Sequence, residues 1–471
     1  MTASTAGADR RWASALAETE PTSYWLDELP ARPDLPPVPG STTCDLLVVG
    51  GGYLGLWTAL EAVRRQPGRD VLVVEAATCG HAASGRNGGF ADPSLTHGWG
   101  NGVSRWPDEM ATLRWLGLEN LASIERFVVE RQIDCRFERT GVLGVATRPH
   151  ELVEQKEEHE ARAAAGEGTE LLDAEQVRTR VDSPTYLGGL VDSVPALVEP
   201  ARLADGLRTA CLDAGVRVHE HSPATGLRRS GAGVQVDTPQ STVLAGEVVL
   251  ATNAYRPLLR RLRLMTVPVY DYTLVTEPLT DAQRDSIGWR GREGVGDASN
   301  LFHYYRLTRD DRILWGGYDA VYHYGSRQAR ALEHRAETFE LLAEQFFTTF
   351  PQLAGLRFSH AWGGVIDTST QFCAFYGTTW GRRVGWAAGF TGLGVASTKF
   401  AADVVLDLLA GADTERTRLS MVRKNPLPFP PEPLRWLGIE ATRRSMAGAD
   451  RTGRRNLWLR TLDRLGLGFD S

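Results

Sequence analysis

Residues 45–55 read DLLVVGGGYLG, and residues 71–75 read VLVVE. An apolar, β-rich run enters Gly50-x-Gly52-x-x-Gly55, and the amphipathic stretch behind it predicts a helix. A second buried strand then ends on Glu75, 20 residues after the last of these glycines. Strand, glycine turn, helix, strand and acid in this register predict a Rossmann-type dinucleotide-binding unit.

Each residue of this unit has a physical role. Gly50 permits the tight turn, Gly52 lets the backbone approach a pyrophosphate, and Gly55 lets the helix pack closely on the strand. The first turn of the helix offers free N–H groups and the positive end of its dipole to phosphate. Glu75 would accept hydrogen bonds from a ribose 2′-hydroxyl and repel a 2′-phosphate. The sequence therefore predicts a site for FAD or NAD rather than for NADP.

Length and composition exclude several classes of protein. A chain of 471 residues is expected to hold at least two interleaved domains. Its net charge of −6 argues against a nucleic-acid partner. The five cysteines show neither metal-ligand spacing nor a disulfide framework, so we expect no metal site and a reducing, cytoplasmic location. No apolar run reaches 18 residues, so no transmembrane segment is predicted.

Other parts of the chain carry patterns that suit a nucleotide. Residues 200–220 read as a helix that stops at a glycine and leads directly into a strand. Residues 248–253 read as a buried strand that opens into a polar turn. Glycine-rich loops at residues 84–89 (SGRNGG) and 389–394 (GFTGLG) permit close backbone approach to a flat ring, and Arg86 and Asn87 are expected to donate hydrogen bonds to flavin or phosphate. The second loop leads into a helix over residues 395–410, whose N-terminus favours negative charge.

The order of these motifs resembles a known family. The motifs are GGGxxG at residues 50–55, AASGRNGG at 82–89, VYDYTLVTEP at 269–278 and GFTGLG at 389–394. They resemble the FAD-dependent amine oxidoreductases of the D-amino-acid oxidase/glycine oxidase type, in particular the gamma-glutamylputrescine oxidase branch. The resemblance covers roughly residues 20–412. It implies that a hydride is removed from the C–H beside an amine, giving an imine that hydrolyses to a carbonyl.

The resemblance also implies the architecture. We expect an α/β fold in which a discontinuous, Rossmann-type FAD-binding domain carries an inserted α+β substrate domain, whose antiparallel sheet covers the flavin. A basic, helical C-terminal tail follows, since residues 415–471 carry 12 Lys/Arg against 6 Asp/Glu. The expected divisions are an N-terminal arm (1–43), FAD-binding segments (44–95, 191–264 and 355–412), substrate segments (96–190 and 265–354) and the tail (413–471).

The residues expected to contact FAD lie in these loops and strand ends. They are Gly50, Gly52, Tyr53, Leu54, Gly55, Glu75, Ala76, Ser84, Gly85, Arg86, Asn87, Gly88, Gly89, Thr225, Ala251, Thr252, Asn253, Gly389, Thr391, Gly392, Leu393 and Gly394.

Two departures from the family's pattern bear on the chemistry. Members similar to sarcosine oxidase link FAD to a cysteine that precedes the segment resembling residues 367–372, and residues 362–366 (WGGVI) contain none. Noncovalent FAD is therefore expected. Such members also carry an oxygen-activating lysine on the strand that resembles residues 313–318, where this chain has no lysine. The electron acceptor, oxygen or another molecule, stays open.

The substrate region is rich in tyrosine. Seven of the twelve tyrosines lie between residues 270 and 324, and we expect them to line an amphipathic pocket that attracts an ammonium group. Alternation along residues 302–306 (FHYYR) places Tyr304 and Arg306 on one face, where Arg306 is expected to bind a substrate carboxylate. His303 and His323 are candidate bases that keep the amine neutral. Simple packing of a β-sheet is the alternative explanation for all of these residues.

Two other functions remain open from the sequence. One is a flavin-binding subunit or scaffold without turnover of its own, with the basic tail as its docking surface. The other is an NAD-linked dehydrogenase, which would have one continuous dinucleotide domain. The partner expected in the leading hypothesis is a small-molecule amine: a polyamine derivative, a glycine-like amino acid or an N-methylated amine. The oligomeric state is open, a homo-oligomer included.

Overall fold

The computed structural model describes residues 12–231 and 233–468. The first eleven residues of the expected N-terminal arm, residue 232 and the last three residues of the tail lie outside the described residues. Within these ranges, none of the helices has the length and apolar character needed to cross a membrane.

One sheet is built from three separated parts of the chain. Its parallel strands lie in the order Val384–Ala388, Thr242–Leu250, Thr42–Val49, Val71–Val74 and Arg217–His219. Antiparallel strands Phe375–Thr379, Gly233–Asp237 and Gly226–Ser230 extend it. Parallel strands covered on both faces are continuously apolar, and all four residues of Val71–Val74 are buried. This sheet is the discontinuous Rossmann-type domain that was predicted.

Two long helices cover one face of this sheet and pack against each other. They are Tyr53–Arg65 and Gly394–Ala410. Arg65 forms ion pairs of 2.5 Å with Asp403 and 2.7 Å with Asp407, and Lys399 lies 3.5 Å from Glu61. These contacts show that the two helices run in the same direction. Their N-termini therefore lie at the same edge of the sheet.

The second sheet is mostly antiparallel. Its strands lie in the order Val321–Tyr322, Thr266–Thr276, Ile313–Gly317, His303–Leu307, Gly294–Asp297, Val142–Ala146, Gly188–Asp192 and Glu170–Asp173. The helix Ala336–Thr349 packs on one face through Phe339, Leu342 and Phe346. The strand Phe358–Ser369 pairs along the whole of Thr266–Thr276.

This pairing corrects one predicted boundary. The third FAD-binding segment was expected to begin at residue 355, but Phe358–Ser369 forms its ladder with the substrate sheet. The substrate domain therefore extends to residue 369, and the chain re-enters the first sheet at Phe375–Thr379. The sequence of a strand does not specify which other strand it pairs with, so this boundary could not be predicted from the sequence.

The remaining elements connect and flank the two sheets. The other helices are Ala13–Leu16, Tyr24–Asp27, Trp99–Arg105, Met110–Glu130, Pro149–Ala164, Ala174–Arg180, Pro200–Asp213, Asp281–Ile287, Glu415–Arg418, Ser420–Arg423, Leu434–Thr452 and Leu457–Arg464. Short 3-10 turns are Ala83–Gly85, Pro107–Glu109, Arg260–Leu262, Arg330–Glu333 and Pro351–Leu353. A two-stranded ladder joins Phe90–Ala91 to Ala196–Leu197. The helices after residue 413 form the helical tail that was predicted.

Candidate active site

The first glycine loop has a geometry that other residues cannot adopt. Gly50 has φ +117°, and its N–H donates to the Val74 carbonyl at 2.8 Å. A Cβ added at Gly50 would collide with the carbonyl oxygen of Ala251, and one added at Gly55 would collide with the carbonyl oxygen of Gly50. The turn and the close packing of helix on strand therefore both depend on glycine.

Gly52 and Ser84 meet where the first helix begins. Gly52 is the N-cap residue of Tyr53–Arg65, and Ser84 Oγ accepts a hydrogen bond from the Tyr53 N–H at 2.9 Å. A Cβ at Gly52 would lie 2.9 Å from Ser84 Oγ. The Ser84 hydroxyl thus occupies one N–H of this helix N-terminus, and the missing side chain at Gly52 leaves room beside it for a phosphate to approach the backbone.

Glu75 lies at the end of its strand and turns back over the glycine loop. Its Oε2 accepts from the Gly51 N–H at 2.6 Å, and its Oε1 accepts from the Ala77 N–H at 2.9 Å. The carboxylate is therefore fixed beside the loop. Ala76 is exposed next to it.

We expect Glu75→Ala to lower the affinity for FAD roughly ten- to hundredfold, because a hydrogen-bonded charged acceptor contributes about 1–3 kcal/mol. Titration of the apoprotein with FAD, followed by flavin fluorescence, measures this. Glu75→Gln keeps an acceptor oxygen and is expected to lose less. Equal affinity in Glu75→Ala and the parent protein would place the ribose elsewhere.

The second loop, residues 84–89, is shaped by its own side chains. The Asn87 amide donates to the Ala83 carbonyl at 2.9 Å and accepts from the Gly89 N–H at 2.8 Å. Arg86 donates to the Glu333 carboxylate and to the Gly363 carbonyl, both at 2.8 Å. Both side chains fix the backbone of the loop through these contacts. Their donation to flavin or phosphate stays a prediction, and Arg86 Nε has no hydrogen-bond partner among the described residues.

The third loop, residues 389–394, is held by a buried carboxylate. Asp367 accepts from the N–H groups of Gly389 at 2.5 Å and Phe390 at 3.1 Å. Burial raises the pKa of Asp367 to about 7, against the lowering effect of these N–H donors. Gly389 and Gly392 have φ +79° and +93°, and a Cβ at Gly392 would meet open space. The loop thus presents bare backbone at the start of Gly394–Ala410.

A single cavity of about 1420 Å³ joins the three loops to the substrate sheet. The predicted residues that line it are Gly52, Tyr53, Leu54, Ser84, Arg86, Asn87, Gly88, Gly89, Ala251, Asn253, Tyr304, Thr391, Gly392, Leu393 and Gly394. The predicted residues that do not line it are Gly50, Gly55, Glu75, Ala76, Gly85, Thr225, Thr252, Gly389, His303, Arg306 and His323. Thr225 is exposed, and its hydroxyl and N–H both donate to the Asp237 carbonyl. Its contacts are thus with the neighbouring strand and not with the cavity.

FAD fits this arrangement. Two helices begin at the cavity beside glycines, at Gly52 and at Gly394, and their dipoles favour negative charge there. The glycines leave room that a side chain would fill. Residues 52–54, 84–89 and 391–394 would hold the dinucleotide, with Glu75 beside the first glycine loop.

Tyr304 and Asp271 meet in the cavity wall formed by the substrate sheet. The Tyr304 hydroxyl donates to Asp271 Oδ2 at 2.5 Å and lies 3.2 Å from Thr273 Oγ1. A Cβ at Gly88 or Gly316 would come within 2.7 Å of the Tyr304 ring, so two glycines leave room for that ring. Burial raises the pKa of Asp271 to about 6, although the Tyr304 hydroxyl lowers it. The result is a positioned carboxylate that can hold or release a proton near neutral pH.

The structure corrects the expectation for His303. Its Nδ1 lies 2.6 Å from Asp297 Oδ2 and its Nε2 lies 3.0 Å from Gln345 Oε1. Burial lowers the pKa of His303, but the Asp297 carboxylate raises it and the net direction is upward. The ring stacks on Tyr318 at 5.2 Å. His303 alternates with Tyr304 and points away from the cavity, so it is a paired histidine of the sheet.

Arg306 is also corrected. It shares a sheet face with Tyr304, as predicted, but its side chain is only 2% exposed. Nη1 donates to the Val198 carbonyl at 2.7 Å, and the guanidinium lies 5.4 Å from the Trp25 ring. Burial lowers the pKa of Arg306 to about 10. Protein groups enclose this arginine, which leaves no access for a substrate carboxylate.

His323 and part of the tyrosine cluster lie outside the cavity lining. His323 contacts the Tyr270 ring edge-on at 5.1 Å and lies outside the cavity lining. Tyr272 donates to the Leu332 carbonyl at 2.8 Å, and Tyr305 bonds to Tyr186 at 2.6 Å inside the core. The tyrosines of the cluster that line the cavity are Tyr270, Tyr304 and Tyr318.

Sequence reasoning missed the carboxylates and the histidine that line the cavity, which are Asp92, Asp271, Asp367 and His97. Asp271 had a signal, because it interrupts an apolar and aromatic strand on the face shared by Val269 and Thr273. Burial lowers the pKa of His97 to about 4, so this imidazole is neutral at neutral pH.

These features define an adenine-dinucleotide-binding fold with a separate substrate sheet over one cavity. The chain belongs to the FAD dependent oxidoreductase family, because the sequence model of that family matches residues 45–408. The protein is therefore an FAD-dependent oxidoreductase, as the resemblance implied, and the NAD-linked dehydrogenase and the scaffold without turnover are set aside.

Similar proteins agree with this assignment. The chain is 33% identical over 384 residues to gamma-glutamylputrescine oxidoreductase of Escherichia coli, covering 80% of this chain and 85% of that protein. It is 29% identical over 404 residues to probable oxidoreductase OrdL of Haemophilus influenzae, covering 83% and 88%. The solved structure of glycine oxidase from Geobacillus kaustophilus has the same fold, with a TM-score of 0.68 at 20% identity over 81% of this chain and 99% of that one.

FAD is expected to be bound noncovalently. The five cysteines are buried free thiols, and none of them lines the cavity within the described residues. Cys373 is fully buried, and desolvation raises its pKa to about 12, so its thiolate is disfavoured. Acid precipitation of the purified yellow protein should leave the flavin in the supernatant. Yellow colour retained in the denatured pellet would show a covalent link.

Proposed function

We propose that this protein oxidises the carbon next to an amine nitrogen. A hydride leaves the C–H beside the nitrogen, the nitrogen loses its proton, and water converts the resulting imine to a carbonyl and a free amine. The observation that carries this proposal is the buried Asp271 carboxylate, paired with Tyr304 at 2.5 Å in the cavity that also reaches the glycine loops. When bound, FAD supplies the hydride acceptor.

The residues of the cavity suit this reaction. Asp271 as a carboxylate binds the ammonium form of the substrate and accepts its proton, which frees the nitrogen lone pair. Tyr304 holds the carboxylate in one orientation, and Thr273 lies within hydrogen-bonding distance of the same hydroxyl. Trp362 and Val269 line the cavity nearby and give it apolar surface.

The comparison proteins support an amine substrate. The Escherichia coli relative is named for gamma-glutamylputrescine, and the Geobacillus kaustophilus structure is a glycine oxidase. We also propose a cytoplasmic location, because all five cysteines are free thiols, which a reducing compartment preserves. The electron acceptor is oxygen or another molecule. The strand Ile313–Gly317 carries no lysine that could activate oxygen.

An anaerobic panel of amines tests the proposal. Polyamine derivatives, glycine-like amino acids and N-methylated amines are mixed with the holoenzyme, and absorbance of the oxidised flavin is followed. Bleaching by at least one amine, with formation of the matching carbonyl, is the expected result. A flavin that no amine bleaches, but that dithionite reduces normally, would contradict amine oxidation.

The rate of flavin reduction is expected to depend on Asp271. Burial raises the pKa of this carboxyl to about 6, and only its ionised form accepts a proton, so kcat/KM should rise as the pH increases through about 6 and then level off. Tyr304→Phe removes a donor to the carboxylate, so the midpoint should move to higher pH. Stopped-flow reduction across pH measures both curves. A midpoint that Tyr304→Phe leaves unmoved would assign the titration to another group.

A further inference from the structure

The chain continues beyond residue 408, where the family match ends, and residues 427–467 of this extension form one wall of the active-site cavity. We propose that this wall is a subsite for an apolar group of the substrate, so that the protein selects amines that carry an extended alkyl or aromatic group. The inference rests on the proposed amine oxidation and names the substrate class that the same cavity accepts.

The wall is fixed to the substrate domain by polar contacts. Asp450 accepts from the backbone N–H and the side-chain amide of Asn300, at 2.8 and 2.6 Å, and from the Leu301 N–H at 3.1 Å. Arg443 forms an ion pair of 3.0 Å with Asp319. Asn300 and Leu301 line the cavity themselves. The extension is thus held against the substrate side of the cavity.

The face that the wall turns to the cavity is apolar. On Leu434–Thr452 the lining residues Leu434, Leu437 and Ala441 follow helical spacing, and on Leu457–Arg464 and the turn behind it Trp458, Leu462 and Leu465 do the same. The Trp458 indole N–H donates to Thr442 Oγ1 at 3.0 Å and ties the two helices together.

These side chains are apolar but poorly covered by protein. Leu434, Leu437 and Leu465 are 62%, 52% and 60% exposed. Leucines on the inner face of a packed helix pair are normally buried. Because these three line the cavity instead, an apolar ligand group in the cavity would bury them, and each methylene that it adds would strengthen binding about fourfold.

The two arginines of the wall that line the cavity are both held by protein groups. Arg443 is paired with Asp319, and Arg435 donates to the Pro430 carbonyl at 3.0 Å and to Ser326 Oγ at 2.9 Å. At the sheet side, Asp271 binds a cation rather than an anion. The cavity therefore suits a molecule with an ammonium group at one end and an apolar group at the other.

A chain-length series tests this substrate class. Straight-chain 1-aminoalkanes of increasing length are given to the anaerobic holoenzyme, and kcat/KM for flavin reduction should rise about fourfold per methylene until the wall is covered. 1-Octanol has the chain but no amine, and it should inhibit competitively. Flavin reduction that does not change with chain length would overturn the apolar subsite while leaving amine oxidation intact. Reduction by no amine at all would instead remove the proposed function on which the subsite rests.

Matched leucine variants locate the subsite. Leu437→Ser and Leu462→Ser should each lower the long-to-short ratio of kcat/KM about tenfold and weaken inhibition by 1-octanol. Leu457 lies on the same helix pair, is 78% exposed and does not line the cavity, so Leu457→Ser should leave the ratio unchanged. FAD content and circular dichroism check folding of all three. An equal change of the kcat/KM ratio in all three variants would show that the effect is not local to the wall and would overturn the proposal. Loss of binding to phosphatidylserine vesicles in Leu437→Ser, without any change in the ratio, would also overturn it, because the wall would then be a membrane-docking surface.

Discussion

Asp271→Asn is expected to lower kcat/KM for amines by about 100- to 10,000-fold, the range that a positioned acid or base contributes. The amide keeps the shape of the side chain and can still pair with the Tyr304 hydroxyl, but it cannot accept a proton from the substrate ammonium. Anaerobic stopped-flow reduction of the flavin measures the effect directly. FAD should remain bound, because Asp271 lies on the substrate sheet rather than on a glycine loop.

A second carboxylate of the same sheet serves as the control. Asp297 pairs with His303 at 2.6 Å and does not line the cavity. Asp297→Asn should lower the melting temperature, because it weakens a buried pair, while the pH dependence of flavin reduction stays as in the parent protein. If Asp297→Asn slowed flavin reduction as much as Asp271→Asn, or if Asp271→Asn retained full activity, Asp271 would not be the proton acceptor.

Gly52→Val is expected to weaken FAD binding by about 10- to 100-fold or more, because crowding a packed site costs about 1–3 kcal/mol. Its Cβ would lie 2.9 Å from Ser84 Oγ, and the two methyl groups would occupy space at the start of Tyr53–Arg65. The backbone of Gly52 has φ −83°, which valine can adopt, so the protein should still fold. Apoprotein titration with FAD measures the affinity, and circular dichroism checks the fold.

Gly168→Val is the matched substitution. A Cβ at Gly168 meets nothing within 4 Å, and the residue lies far along the chain from the glycine loops. It should leave FAD affinity unchanged. A Gly52→Val protein that binds FAD as tightly as Gly168→Val would mean that the pyrophosphate does not approach the backbone at Gly52.

The dinucleotide loop was predictable because its information is local. Gly50, Gly52 and Gly55 act within one turn and the first turn of one helix, and their spacing alone defines that geometry. The same holds for the loop at residues 389–394, in which Gly389 and Gly392 adopt positive φ angles before a helix. The family resemblance added the second sheet, since no local pattern states which strands pair.

The candidate catalytic residues were harder to assign because a strand has two faces. His303, Tyr304 and Arg306 lie on one strand, yet only Tyr304 lines the cavity. Alternation correctly separated His303 from Tyr304. It could not tell that Asp297 and Gln345 enclose the histidine or that the Val198 carbonyl holds the arginine, since these partners come from elements up to 108 residues away.

By itself, the sequence determined that the protein binds an adenine dinucleotide, because the glycine spacing and Glu75 satisfy their geometric requirements within a short segment. Only the tertiary structure decided what faces the substrate. Burial and the Tyr304 hydroxyl set the pKa of Asp271, the residue that we propose as the proton acceptor. The C-terminal tail lies against the cavity because Asp450 binds the loop at Asn300, 150 residues earlier. Burial and long-range hydrogen bonds set the pKa and the exposed face of a side chain, and both depend on neighbours that meet only when the chain folds.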